Sequence, residues 1–219
     1  MKPVIVLNLK AYMESTGDAA LRLCEIASEV SLVSGVRIIV APQAVDLRAC
    51  ARVCEVFAQH SDAMDAGAFT GSITPNALKD ANALGSLLNH SEKRMPHETI
   101  GKTVAALREA GLQSIVCSKD DEESAQVAAF APDFIAVEPP ELIGSGISVS
   151  NAKPQVVIKS VEAVQRVAKV PVLCGAGISN AEDVKKAIGL GANGVLLASA
   201  YVKSEDPKKL LAEMAGAMG

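Results

Sequence analysis

The sequence predicts a closed α/β barrel of eight parallel strands alternating with helices, a (β/α)8 architecture in one domain spanning residues 1–219, and three observations predict it. Short β-branched runs recur eight times along the chain. Those runs are apolar at nearly every position instead of alternating, which suits strands covered on both faces. Segments with helical periodicity separate them, and strand–helix alternation implies parallel strands joined by right-handed crossovers. An open doubly wound sheet would carry a glycine fingerprint after its first strand. Here that strand runs into Asn8-Leu9-Lys10-Ala11.

The expected strands are Val4–Lys10, Arg37–Ala41, Val56–His60, Leu84–His90, Ser114–Ser118, Phe134–Glu138, Pro171–Gly175 and Gly194–Ser199. Between the first two, Gly17–Val30 places Leu23, Ile26, Ala27 and Val30 on one helical face. Pro96, then Ile100, Val104 and Leu107, then Gly111, reads as a proline start, an apolar stripe and a glycine stop. Ser179-Asn180-Ala181-Glu182 is a capping-box pattern. Asp206-Pro207 opens a last helix bearing Leu210, Leu211 and Met214. The architecture typically takes ~250 residues, so some crossovers should be thin, with Pro42–Glu55 and Lys119–Asp133 the candidates.

Composition removes several function classes. A net charge of −4, no Trp and no Lys/Arg cluster leave neither an electrostatic footprint nor stacking platforms for nucleic acid. No apolar run approaches the ~20 residues that span a bilayer. The first strand begins at Val4, leaving no room for a leader, and the expectation is a cytoplasmic protein without membrane association. The 5 cysteines are scattered, and Cys50 and Cys54 share a helix face without further ligands nearby. They read as buried thiols, and no metal or cofactor is expected.

In such barrels the chemistry sits at the C-terminal strand ends. If Leu7 and Leu9 face the helices, alternation turns Asn8 and Lys10 into the barrel mouth, although a lysine just past a strand is also ordinary surface charge. His90, in Asn89-His90-Ser91-Glu92, titrates nearest neutrality. His60 also ends a strand and His97 lies in a helix's first turn, so position does not choose among the three. Glu138 closes an apolar run, costly unless the carboxylate is paired or used, and burial there would raise its pKa toward that of a general base. The following Pro139-Pro140-Glu141-Leu142-Ile143-Gly144-Ser145-Gly146 has the composition of a hinged lid or of a plain proline-rich turn. Small residues at Gly175-Ala176-Gly177 and Ala198-Ser199 let backbone amides approach an anion, as the last two loops of phosphate-binding barrels do.

Together these motifs, in order along the whole chain, resemble the triosephosphate isomerase family in its short archaeal form, whose fold is the TIM barrel. The resemblance implies interconversion of dihydroxyacetone phosphate and glyceraldehyde 3-phosphate without metal or cofactor. By position it implies Glu138 as the base and His90 as the neutral electrophile. Lys10 would supply positive charge with Asn8 beside it, and Glu92 would position Lys10. A lid formed by Pro139, Pro140, Glu141, Leu142, Gly144, Ser145 and Gly146 would close over the phosphate, with Ile143, Gly175, Gly177, Ala198 and Ser199 lining its pocket. Glu141-Leu142 stands where the larger family has Trp-Ala, Leu196-Leu197 where it has a glycine pair, and Ser72 where a Glu is common. The rivals are another phosphosugar barrel enzyme, disfavoured by Asn8-Leu9-Lys10 together with His90 and Glu138, and a barrel that only binds a phosphorylated metabolite. The resemblance also implies a homotetramer, with a dimer as runner-up, the loop Ala63–Thr74 with Phe69 and Ile73 being suited to insertion into a neighbour.

Overall fold

The computed structural model describes residues 3–139 and 153–219. Its eight strands are all parallel, in the order β2-β1-β8-β7-β6-β5-β4-β3. They are β1 (Val4–Asn8), β2 (Arg37–Ala41), β3 (Phe57–Ala58), β4 (Gly85–Leu88), β5 (Gln113–Ser118), β6 (Phe134–Val137), β7 (Val172–Cys174) and β8 (Gly194–Leu197). β2 and β3 meet through the Val40–Val56 bridge, where the Val40 N–H donates to the Glu55 carbonyl at 2.9 Å. The (β/α)8 expectation is borne out, with this seam its thinnest join.

Alternation of side chains divides the core in two. Val4, Val6, Ile39, Phe57, Leu87, Ile115, Phe134, Ala136, Leu173 and Leu196 belong to a cluster that fills the barrel interior. Ile5, Leu7, Leu9, Val40, Val116, Val137 and Val195 pack in a second cluster with residues from the helices. Both faces of each strand are therefore apolar, which explains the unbroken runs. Two glycines are forced by proximity. A Cβ on Gly85 would lie 2.3 Å from the Gln113 carbonyl, and one on Gly194 would lie 2.1 Å from the Val4 carbonyl.

The helices are α1 (Asp18–Ser34), α2 (Leu47–Cys50), α3 (Pro75–Asp80), α4 (His97–Glu109), α5 (Asp121–Ala128), α6 (Pro154–Val167), α7 (Ala181–Gly189), α8 (Ser199–Val202) and α9 (Pro207–Gly216). The crossover at Pro42–Glu55 holds a single turn, as its sequence suggested; that at Lys119–Asp133 keeps two turns of helix capped by Asp120. α3 is a third short crossover that composition did not betray. The capping box shifts by one residue. Asn180, not Ser179, caps α7 by accepting from the Asp183 N–H at 2.9 Å, while Asp183 accepts from the Ser179 N–H and hydroxyl. None of the helices described is long and apolar enough to cross a membrane.

Candidate active site

β1 ends with a reversal that aims its polar residues into the mouth. Leu7 and Leu9 face the helices, and Asn8 is buried. Lys10 then takes a left-handed backbone conformation (φ 50) that side-chain-bearing residues rarely adopt. Two contacts hold it there: its N–H donates to Asn8 Oδ1 at 3.0 Å, and its carbonyl accepts from Gln59 Nε2 at 2.9 Å. Gln59 also donates to the Ala41 carbonyl at 3.0 Å, binding the β2–β3 seam to the site. Sequence reasoning missed Gln59; its position two residues beyond the inward-facing Phe57 was the available signal.

Lys10 Nζ reaches across to Glu92 Oε1 at 2.7 Å. Beside it His90 is buried, and its Nδ1 accepts from the Glu92 N–H at 3.2 Å. That bond makes Nδ1 an acceptor, so the neutral ring carries its proton on Nε2. His90 Nε2 lies 3.5 Å from Glu138 Oε1. The other two histidines have other partners: His60 meets Asp62 at 3.0 Å, and His97 packs on the Phe130 ring.

Glu138 follows β6, and its N–H donates to the Ser118 carbonyl at 2.7 Å. The carboxyl is 3% exposed, and its Oε2 has no hydrogen-bond partner among the described residues. Burial raises its pKa to about 7, against the opposing pull of the Cys117 thiol and the Lys10 charge. Burial also drives His90 the other way, to about 4, aided by Lys10 and Arg94 and opposed by Glu92. The outcome near neutrality is a carboxylate able to accept a proton beside an imidazole that stays uncharged and can donate one.

Lys10, His90 and Glu138 line a cavity of about 270 Å³ with Tyr12, the segment Gly175–Ser179 that follows β7, and Leu196–Ala200 at the end of β8. Lys10 and His90 also line an adjoining recess of about 260 Å³ with Asn8, Gln59, His60 and Glu92. Gly175 has a steric role beside its anticipated one: a Cβ there would lie 2.5 Å from Glu138 Cγ. Gly177 is left-handed (φ 71), and Ala198 and Ser199 edge the cavity at the start of α8. Leu196 belongs to the barrel-core cluster and Leu197 to the cluster packed with the helices, and both border the cavity. Pro139 is buried; Pro140, Glu141, Leu142, Ile143, Gly144, Ser145 and Gly146 lie outside the described residues. Among the described residues no group of three or more His, Cys, Asp or Glu is arranged to hold a metal ion.

A family model described as triosephosphate isomerase matches residues 3–215. A triosephosphate isomerase of Methanothermus fervidus is 56% identical over 216 residues, covering 97% of each chain. One from Methanocaldococcus jannaschii is 49% identical over 214 residues, covering 96% of this chain and 98% of its own. One from Methanothermobacter thermautotrophicus is 48% identical over 215 residues, covering 97% and 94% respectively.

Proposed function

The chain belongs to the triosephosphate isomerase family, and from that premise we propose how its site interconverts dihydroxyacetone phosphate and D-glyceraldehyde 3-phosphate. Glu138 removes a proton from the carbon next to the carbonyl and returns it to the neighbouring carbon, through an enediolate. His90, donating from Nε2–H, polarises the carbonyl and moves protons between the two oxygens. Lys10 offsets the developing negative charge and the substrate anion, Asn8 holds the Lys10 backbone, and Glu92 orients the ammonium. The phosphate sits against the amides of Gly177, Ala198 and Ser199, and residues 139–146 close over it to exclude water, from which the enediolate would lose phosphate. One barrel, working in the cytoplasm without metal or cofactor, carries the whole reaction.

The observation that carries this reading is the buried Glu138 carboxyl, with an unpartnered oxygen and a pKa near 7, set 3.5 Å from a neutral His90. Turnover of both triose phosphates by the wild-type protein, and its loss in Glu138→Gln and His90→Gln, tests it. A His90→Gln variant with wild-type kcat would remove His90 from the mechanism.

The reading extends to assembly as a homotetramer built from dimers, with a plain dimer second. Met13 and Val45 are each 83% exposed and Phe69 49%, and all three follow the C-terminal ends of β1, β2 and β3, neighbours in the barrel. Exposed apolar groups gathered at one end suit a subunit interface. Ile73 lies in the same loop as Phe69, anchored through its backbone. It is tied back to Asp62, whose N–H donates to the Ile73 carbonyl and whose Oδ2 accepts the Ile73 N–H, each at 2.8 Å.

A further inference from the structure

The segment that carries His90 is fastened to the next strand–helix unit through the Cys117 carbonyl and one carboxylate, that of Glu123. Asn89 is buried and left-handed (φ 59), so the backbone entering His90 has a conformation that must be held in place. Its side chain is held at both ends: Nδ2 donates to the Cys117 carbonyl of β5 at 2.9 Å and to Glu123 Oε1 at 3.2 Å, and Oδ1 accepts from the Met95 N–H at 3.0 Å. Arg94 Nη1 donates to the Asn89 carbonyl at 3.2 Å, and its Nη2 pairs with Glu123 Oε1. Glu123 Oε2 accepts from the Lys119 N–H at 2.7 Å. Inside this frame the Lys93 N–H donates to the His90 carbonyl at 2.8 Å, and the Glu92 N–H meets His90 Nδ1. Glu123 itself does not line the catalytic cavity.

We propose that Glu123, in the first turn of α5, is a positioning residue for the electrophile: through Asn89 and Arg94 it keeps residues 89–95 in the arrangement that presents the His90 Nε2–H to substrate. The inference rests on the reading of His90 as the electrophile. Burial alone would raise the Glu123 pKa, but Arg94, the Lys119 N–H and Asn89 hold it below the usual carboxylate range, so the carboxylate is charged wherever the enzyme works. An alternative role for Glu123 is to stabilise the start of α5, where its own N–H already binds the Asp120 cap at 2.8 Å. The two roles predict different measurements. A helix stabiliser changes the melting temperature, whereas a positioning residue changes kcat and the state of the His90 ring.

The test compares full-length Glu123→Ala and Glu123→Gln with wild type and with His90→Gln, by steady-state kinetics on both triose phosphates and 15N NMR of the His90 ring. Displacing a catalytic group by an ångström costs rates on the order of 100-fold, so Glu123→Ala should lose kcat by roughly 10- to 100-fold with KM little changed. Its His90 nitrogens should move from the pattern of a fixed Nε2–H tautomer toward a mixture. Glu123→Gln, which retains one acceptor and loses the charge, should fall between the two, and it decides the matter if the alanine variant does not fold. Wild-type kcat and an unmoved His90 spectrum in these variants, alongside an inactive His90→Gln, would overturn the proposal while leaving His90 as the electrophile. An active His90→Gln would remove both.

Discussion

A buried carboxylate is held at the expense of stability, and Glu138→Gln measures how much. Folding moves the Glu138 carboxyl from 4.5 to about 7. At about 1.4 kcal/mol per pH unit, keeping it ionised in the folded state costs about 3 kcal/mol. The sign follows from proton linkage. A carboxyl whose pKa is raised by folding binds its proton more tightly in the folded state, so the penalty is absent below pH 4.5, grows between 4.5 and 7, and is constant above 7. Glutamine has nearly the same shape and never ionises. The variant should therefore equal wild type in stability at pH 4 and exceed it by about 3 kcal/mol at pH 8, a gain of roughly 6–12 °C in melting temperature for a domain this size. At the same time activity should fall by at least ~10²–10⁴-fold, because proton acceptance is gone. Thermal melts from pH 4 to 8, paired with turnover assays, read both. A stability difference that does not change with pH would refute the claim that Glu138 is a buried carboxylate with a raised pKa.

Other consequences follow from the same geometry. In wild type, kcat/KM should rise through an acid limb near pH 7, where Glu138 ionises, with no limb from His90 above pH 5, since that ring titrates near 4; a single limb near 4.5 would contradict the burial argument. Gly175→Ala would set a Cβ 2.5 Å from Glu138 Cγ, and the displaced carboxylate should cost roughly 100-fold in kcat; unchanged kcat would show that the carboxylate has room to give. Removing the α7 cap with Asn180→Ala should cost about 1 kcal/mol with kinetics unaltered, measured by urea melts. Light scattering should give a mass four times the 22.6 kDa subunit, or twice it for the dimer, and a single-subunit mass at micromolar concentration would sink both.

The architecture was legible because a strand buried on both faces must be apolar throughout, and eight such runs survive any error in their ends. The ends were misjudged where the chain reverses on polar residues. Asn8-Leu9-Lys10 reads as extended, yet Lys10 is left-handed and β1 stops at Asn8; the same happens at Asn89, one residue past Leu88. β3 shrinks to two residues because its seam with β2 is a single bridge, a property of closure that local sequence does not encode.

At the site, Glu138 stood out because a carboxylate closing an apolar run is expensive; Asn8 and Lys10 followed from the alternation of side chains along β1, and the roles of His90 and Glu92 followed only from the family resemblance. Gln59, Cys117 and Glu123 were missed. Each acts through a partner from another strand–helix unit, and a chain read residue by residue does not show which partners the strand register brings together. Position at a strand end did not choose His90 over His60 and His97; the family resemblance did, and the contacts with Asp62 and Phe130 account for the other two.

The most direct test of the mechanism is the fate of one hydrogen. Dihydroxyacetone phosphate turned over in D2O, with the product trapped as it forms and examined by proton NMR, reports whether the migrating hydrogen passes through a carboxylate that exchanges with solvent. Proton transfer by Glu138 predicts deuterium at C2 of the glyceraldehyde 3-phosphate in a substantial share of the product, and none formed by Glu138→Gln above the uncatalysed rate. Product that retains only the substrate's own hydrogen, or turnover that survives in Glu138→Gln, would contradict it.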